Sequence, residues 1–167
     1  GGFPESKGSC LENAARRLRI DIKKKWAFDG NSESTGAEIE NITAEVVSMD
    51  DDPGMIFIAA HAAEGAKIVS LLRYPGKDFA VIGPASFANQ LFVEALRKYP
   101  QERLTPGYYS DGIYAVSPFM IDRATERAQI FRNGFVRKYG EEPSWIAAAY
   151  YDAMFVALQA IQHAGVR

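Results

Sequence analysis

The sequence predicts an α/β fold, a three-layer, doubly wound parallel sheet with helices on both faces. Helix patterns and short strand patterns alternate up to Ser117. The strand patterns at Met55–Ala60 and Phe79–Ile82 are continuously apolar, which is typical of parallel strands that are covered on both faces. Two helices then follow in succession without a strand between them, so the chain is expected to leave the sheet after its last strand.

The first elements are a helix, a strand and a second helix. Ser9–Leu18 and Ala37–Met49 carry apolar residues at helical spacing. Between them, Ile22–Phe28 alternates as a strand does, with Lys23 and Lys25 on one face. Lysines often protect the edge of a sheet, so we expect this strand at the edge and Met55–Ala60 at a central position. A domain of this class normally begins with a strand, and the sequence opens directly into a helix, so the first strand is expected to be missing.

The remaining elements follow from periodicity and from turn residues. Pro75-Gly76 ends one helix, and a turn-rich stretch follows another. The predicted segments are the helices Ala63–Tyr74 and Ser86–Tyr99, the turns Pro100–Ser110, the strand Gly112–Ser117, and the late helices Ile121–Tyr139 and Ser144–Ala164.

Composition excludes several classes of function. The formal net charge is −2 at pH 7, which provides no basic field for nucleic acid or an anionic membrane. Cys10 is the single cysteine and has no ligand cluster beside it, so neither a disulfide nor a metal site is expected. No stretch is long and apolar enough to predict a membrane span.

Catalytic signatures are also missing from the sequence. It contains no GxGxxG, GxxxxGK[ST], HExxH or GxSxG pattern. We therefore expect no enzymatic activity and no cofactor. Two alternatives stay open, a Rossmann-like enzyme fragment and a flavodoxin-like regulatory domain. The second would need acids at a strand end, whereas Asp50-Asp51-Asp52 precede their strand.

The carboxyl ends of the strands are where open parallel sheets bind ligands. Hydroxyls, one imidazole and aromatic rings fall at these ends, and they suit a small-molecule site better than a catalytic centre. Each of them has a second interpretation as a helix cap or a packing group, and Ser86 in particular could cap the helix that follows it. The candidate ligand-binding residues are Ser6, His61, Ala85, Ser86, Phe87 and Phe119.

The order of these elements resembles the branched-chain amino-acid binding protein family, the type I periplasmic solute-binding proteins of ABC transporters. The resemblance runs over nearly the whole chain and depends on the order of several short runs. These runs are Glu5–Gly8, Trp26–Gly30, Asp52–His61, Leu71–Gly76 and Val81–Pro84, and the most telling ones are Phe135–Pro143 followed by Ala147–Met154.

The resemblance implies a lobe of a protein that binds a small solute between two lobes, outside the cytoplasm, for import or receptor sensing. Residues 1–119 would form the second lobe, and 120–167 would be crossover helices of a first lobe that is absent here. The ligand would be an organic acid or an amino-acid-like solute. An ABC permease is the implied partner, and a homodimer is expected if the last helix, Ser144–Ala164, lacks its partner surface.

By position, Ser6 and His61 fall where the family often has pocket aromatics. Lys7 replaces a usual glycine. Ala85 falls where amino-acid binders tend to carry an acid that meets the ligand ammonium. Since a buried ammonium without a counter-charge is costly, we expect a carboxylate or neutral solute to be preferred over a zwitterionic amino acid.

Overall fold

The computed structural model describes residues 3–49, 53–73, 77–118 and 125–165, with side chains from Leu11 onward. Helices and strands alternate along its first part, and two helices end it. In chain order the elements are α1 (Phe3–Leu18), α2 (Thr35–Ser48), β1 (Met55–Phe57), α3 (Ala62–Leu72), β2 (Ala80–Gly83), α4 (Gln90–Leu96), α5 (Pro100–Leu104), β3 (Ile113–Ala115), α6 (Glu126–Tyr139) and α7 (Trp145–His163).

The described sheet has three parallel strands in the order β1-β2-β3. Ile56 is in register with Val81, and Ile82 with Tyr114. The predicted parallel α/β class is therefore confirmed. The predicted central position of Met55–Ala60 is wrong, because β1 lies at an edge of the described sheet and Met55 is 61% exposed.

The segment Ile22–Phe28 is the second correction, because it forms no strand. Its side chains bind α2 instead. Both Lys24 Nζ and Trp26 Nε1 donate to the carboxylate of Glu45, the indole bond being 2.8 Å long. Trp26 also packs against the hydrophobic core. Alternation of apolar and charged residues thus reflects contact with a helix here, not a place in the sheet.

The core lies where α3 and α4 pack together beside β2. Val69 and Leu96 are fully buried, and Val81 of the central strand is 1% exposed. The rings of Phe87 and Phe92 stack with their centroids 4.1 Å apart. Burial of such side chains contributes about 1.5–3 kcal/mol each, so this cluster stabilises the sheet-containing unit.

The helix predicted over Ser86–Tyr99 begins later than its apolar pattern indicates. Asn89 is the N-cap of α4, since its side chain accepts a hydrogen bond of 3.1 Å from Leu91 N. Residues 85–88 form a turn instead. A short helix, α5, begins at Pro100 inside the stretch predicted as turns, and proline favours the first position of a helix.

A buried carboxylate organises the turns between α5 and β3. Glu102 is 3% exposed and accepts hydrogen bonds from Gly107 N at 2.9 Å, Tyr109 N at 2.7 Å and Ser110 Oγ at 3.2 Å. Burial raises the pKa of the Tyr109 phenol above its ordinary value, with a further contribution from Tyr108. The Glu102 carboxylate thus accepts hydrogen bonds from backbone N–H groups that the tight turn would otherwise leave buried and unpaired.

The chain divides into two compact units, Gly1–Val116 and Ser117–Arg167. In the second unit, α6 and α7 begin at side-chain caps, where Thr125 Oγ1 accepts from Ala128 N and Ser144 Oγ accepts from Ala147 N. Gly140 ends α6 in the left-handed conformation, with φ of 76°. That these units belong to two different lobes remains a proposal.

Most apolar side chains of α7 are exposed. Ala148 is its one buried residue, whereas Tyr150 is 72% exposed. We call the exposed set that shares one side of the helix the α7 apolar face: Tyr150, Met154, Leu158 and Ile161. A helix that is apolar on several sides expects burial on several sides, and the structure shows the exposed surface that this pattern predicted.

Candidate functional site

Three loops that follow the strands form the candidate site, which we call the rim. They are residues 58–61 after β1, residues 84–89 after β2, and Val116 directly after β3. The strands are parallel, so their carboxyl ends meet at one edge of the sheet. A backbone hydrogen bond of 3.3 Å from Val116 N to Gly83 O joins the residue that follows β3 to the last residue of β2.

Ser86 ties the first two loops together. Its hydroxyl donates a 2.9 Å hydrogen bond to Ala60 O. The capping role considered for Ser86 is wrong, because Asn89 caps α4. Ser86 therefore holds the rim in shape, and its oxygen keeps acceptor capacity for a solute.

His61 is the N-cap residue of α3 and is exposed at the rim. Its side chain does not cap the helix. Its carbonyl accepts a 2.8 Å hydrogen bond from Gly65 N, which fixes the backbone in the extended conformation that starts the helix. His61 thus lies in the loop that follows β1, and its contact with a solute stays a prediction.

Phe87 is the site candidate that the structure places elsewhere. Its ring is 5% exposed, belongs to the hydrophobic core and stacks on Phe92. A Cβ on Gly65 or on Gly83 would overlap this ring, so the ring fits between two backbones that carry no side chain. Phe87 therefore takes the packing role and not a ligand-facing one.

The three remaining candidates are Ala85, Ser6 and Phe119. Ala85 is half-buried in the turn after β2 and carries no charge. Ser6 lies inside α1, which begins at Phe3, so it is not in a turn that precedes the helix. Phe119 lies outside the described residues.

Glu64 was not among the predicted site residues. It lies in the first turn of α3, three residues after His61. Its Oε2 atom is buried and has no hydrogen-bond partner among the described residues. Its closeness in the chain to the end of β1 is a weak signal in the sequence, but the burial of its oxygen is visible only in the structure.

A cavity of about 480 Å³ lies at the opposite edge of the sheet. Its lining includes Arg97, Arg103 and Asp111, and Asp111 precedes β3, which places the cavity at the amino ends of the strands. Because it lies at the amino ends of the strands, the cavity is separate from the rim, which lies at their carboxyl ends.

Within the described part of the chain no group of three or more histidine, cysteine or acidic residues could hold a metal ion.

The polar groups at or beside the rim include the hydroxyl of Ser86 and the imidazole of His61. The shape of the rim depends on a parallel sheet, which is the arrangement that places ligands at the carboxyl ends of strands. Every helix within residues 3–49, 53–73, 77–118 and 125–165 is too short or too polar to cross a lipid bilayer.

This α/β arrangement is the fold of a lobe of type I periplasmic binding proteins. A similar solved structure is the branched-chain amino acid transporter substrate-binding protein LivJ from Streptococcus pneumoniae, in complex with isoleucine. The two share 24% sequence identity with a TM-score of 0.64, over 90% of this chain and 40% of LivJ. The chain thus spans well under half the length of that protein. No family model and no curated protein matches the sequence.

Proposed function

We propose that this chain is the ligand-binding lobe of a solute-binding protein that serves ABC-type import or receptor sensing. The observation that carries the proposal is the rim, where three parallel strands end together under loops tied by the Ser86–Ala60 hydrogen bond. LivJ has a similar fold and is a transporter's substrate-binding protein. The solute would be a small organic or amino-acid-like molecule.

The proposed mode of binding places the solute between this lobe and a second one. Residues up to Val116 would supply the rim, and the two late helices would belong to the other lobe. Binding would then close the lobes by bending at a hinge. The implied partner is an ABC permease, and the implied location is the periplasm or the cell exterior.

A thermal-shift screen of small solutes tests the proposal. A ligand that binds only the native state, at a concentration of 100 Kd, stabilises that state by about 2.7 kcal/mol. We expect a solute to raise the Tm by several degrees, and His61→Ala to weaken its binding roughly two- to tenfold. His163→Ala is the matched control, because His163 ends α7 and is far from the rim in sequence. Failure of every solute, or equal losses in both histidine variants, would contradict the proposal.

The α7 apolar face leads to a second expectation, that two copies associate through it. Exposed apolar surface of this extent favours association. We expect size-exclusion chromatography with light scattering to give a dimer for the 18.4 kDa chain. Met154→Glu and Leu158→Glu should shift it to monomer, whereas Gln159→Glu on the same helix should not. A monomer at all concentrations would contradict the predicted dimer and would not bear on the proposal of solute binding.

A further inference from the structure

The cavity at the amino ends of the strands has no role in the proposed function. Its volume is about 480 Å³, and it is lined by the end of α4, by α5 and by the turns that precede β3. Sites for small molecules usually measure about 300–1,000 Å³. Three charged side chains of the lining are open to solvent: Arg97, Arg103 and Asp111.

A buried carboxylate gives one wall of this cavity its shape. Glu102 is 3% exposed, and its two oxygens accept hydrogen bonds from Gly107 N, Tyr109 N and Ser110 Oγ. A buried charge is tolerated when such donors satisfy it. The wall is therefore held in place by the protein itself, and the negative charge of Glu102 is already compensated.

The position of the Asp111 carboxylate is set by the same turns. Arg73 Nη2 donates a hydrogen bond of 2.8 Å to Asp111 O, and Asp111 N donates one of 2.9 Å to Gly107 O. Gly107 has a φ of 93°, and a Cβ on it would lie 2.6 Å from Asp111 Oδ1. The carboxylate thus lies against a backbone that carries no side chain, which leaves it beside the cavity.

The charged groups of the cavity have no partners within the part of the chain that the structure describes. Neither Arg97 nor Arg103 takes part in an ion pair or a side-chain hydrogen bond there, and the Asp111 carboxylate accepts none. One unpaired arginine is ordinary on a surface, but two line this cavity together with an unpaired acceptor. A guanidinium group offers five N–H donors in a geometry that suits phosphate oxygens.

We propose that this cavity binds a small organic phosphate that carries hydroxyl groups. Its phosphate group would accept hydrogen bonds from Arg97 and Arg103, and a hydroxyl would donate to Asp111. A phosphate carries about −1.5 to −2 charges at pH 7, which two guanidinium groups balance. The proposal does not depend on the rim, because all of its residues lie at the opposite edge of the sheet.

An NMR titration of the unaltered chain with glycerol 3-phosphate, at constant ionic strength, tests the proposal. We expect saturable shifts of the backbone amides in residues 93–97 and 103–111, weaker binding of inorganic phosphate and of succinate, and no response to glycerol. The absence of saturable shifts around the cavity would overturn the proposal, as would equal or tighter binding of inorganic phosphate or succinate. Neither result would bear on solute binding at the rim.

Four variants test the residues themselves. Arg97→Gln and Arg103→Gln should each weaken the binding of glycerol 3-phosphate about tenfold. Arg17→Gln is the matched control, because Arg17 is an exposed arginine in the last turn of α1. Asp111→Ala should remove the preference for glycerol 3-phosphate over inorganic phosphate. Circular dichroism checks that each variant folds. Unchanged affinity in both folded cavity arginine variants, or an equal loss in Arg17→Gln, would overturn the assignment.

Discussion

Replacing Gly83 by alanine is expected to lower the free energy of unfolding by about 3 kcal/mol. The new Cβ would overlap Cδ2 of Phe87 and lie 2.6 Å from its Cε2 atom. The ring has little room to move, because Gly65 bounds it on another side and Phe92 stacks on it. Adding a methyl group to such a core forces side chains and backbone apart. Denaturation by urea measures the effect.

Two further variants separate the clash from a general effect of alanine. Gly30→Ala, in the same unit, meets no atom within 4 Å and should change stability by no more than about 1 kcal/mol. In a Phe87→Leu background, Gly83→Ala should lower the free energy of unfolding much less, because the aromatic ring that the new Cβ would overlap is no longer present. Equal costs of Gly83→Ala in both backgrounds would show that the ring does not determine the requirement for glycine.

Replacing Glu102 by alanine is also expected to lower the free energy of unfolding by about 3 kcal/mol. The change leaves Gly107 N, Tyr109 N and Ser110 Oγ without their acceptor in a region that solvent does not reach freely. Unpaired buried donors carry the full cost of their desolvation. Urea denaturation of the variant measures the loss of stability.

Glu94→Ala is the control for Glu102. Glu94 is exposed on α4, and exposed positions of this kind usually change stability by less than about 0.5 kcal/mol. Glu102→Gln keeps one acceptor oxygen, so its loss of stability should lie between those of Glu102→Ala and Glu94→Ala. A Glu102→Ala variant as stable as Glu94→Ala would mean that the turns after α5 hold together without the carboxylate.

The class of fold was predictable because it depends on local patterns. Short apolar runs at β1 and β2 and the helices between them gave a parallel α/β sheet, which the structure confirms. The strand predicted over Ile22–Phe28 was wrong, because alternation of apolar and charged residues does not show whether a segment contacts a neighbouring strand or a helix. Glu45 of α2 binds Lys24 and Trp26, and that contact is made across 19 or more residues of chain.

The site was predictable in outline only. The ends of the strands placed His61 and Ser86 at one edge, but the sequence could not show that Phe87 turns into the core. That outcome depends on the absence of side chains at Gly65 and Gly83, which lie on two different elements. The buried oxygen of Glu64 was equally hidden, because burial of one atom depends on packing that no periodicity encodes.

Hydrogen–deuterium exchange with the strongest solute of the screen tests the central claim most directly, because it locates the bound molecule. The account predicts slower exchange of backbone amides in residues 58–65 and 85–89, at the carboxyl ends of β1 and β2. Amides near Arg97, Arg103 and Asp111, around the cavity at the opposite edge, should exchange as before. Protection confined to that cavity, or no protection anywhere, would contradict the account of a solute-binding rim.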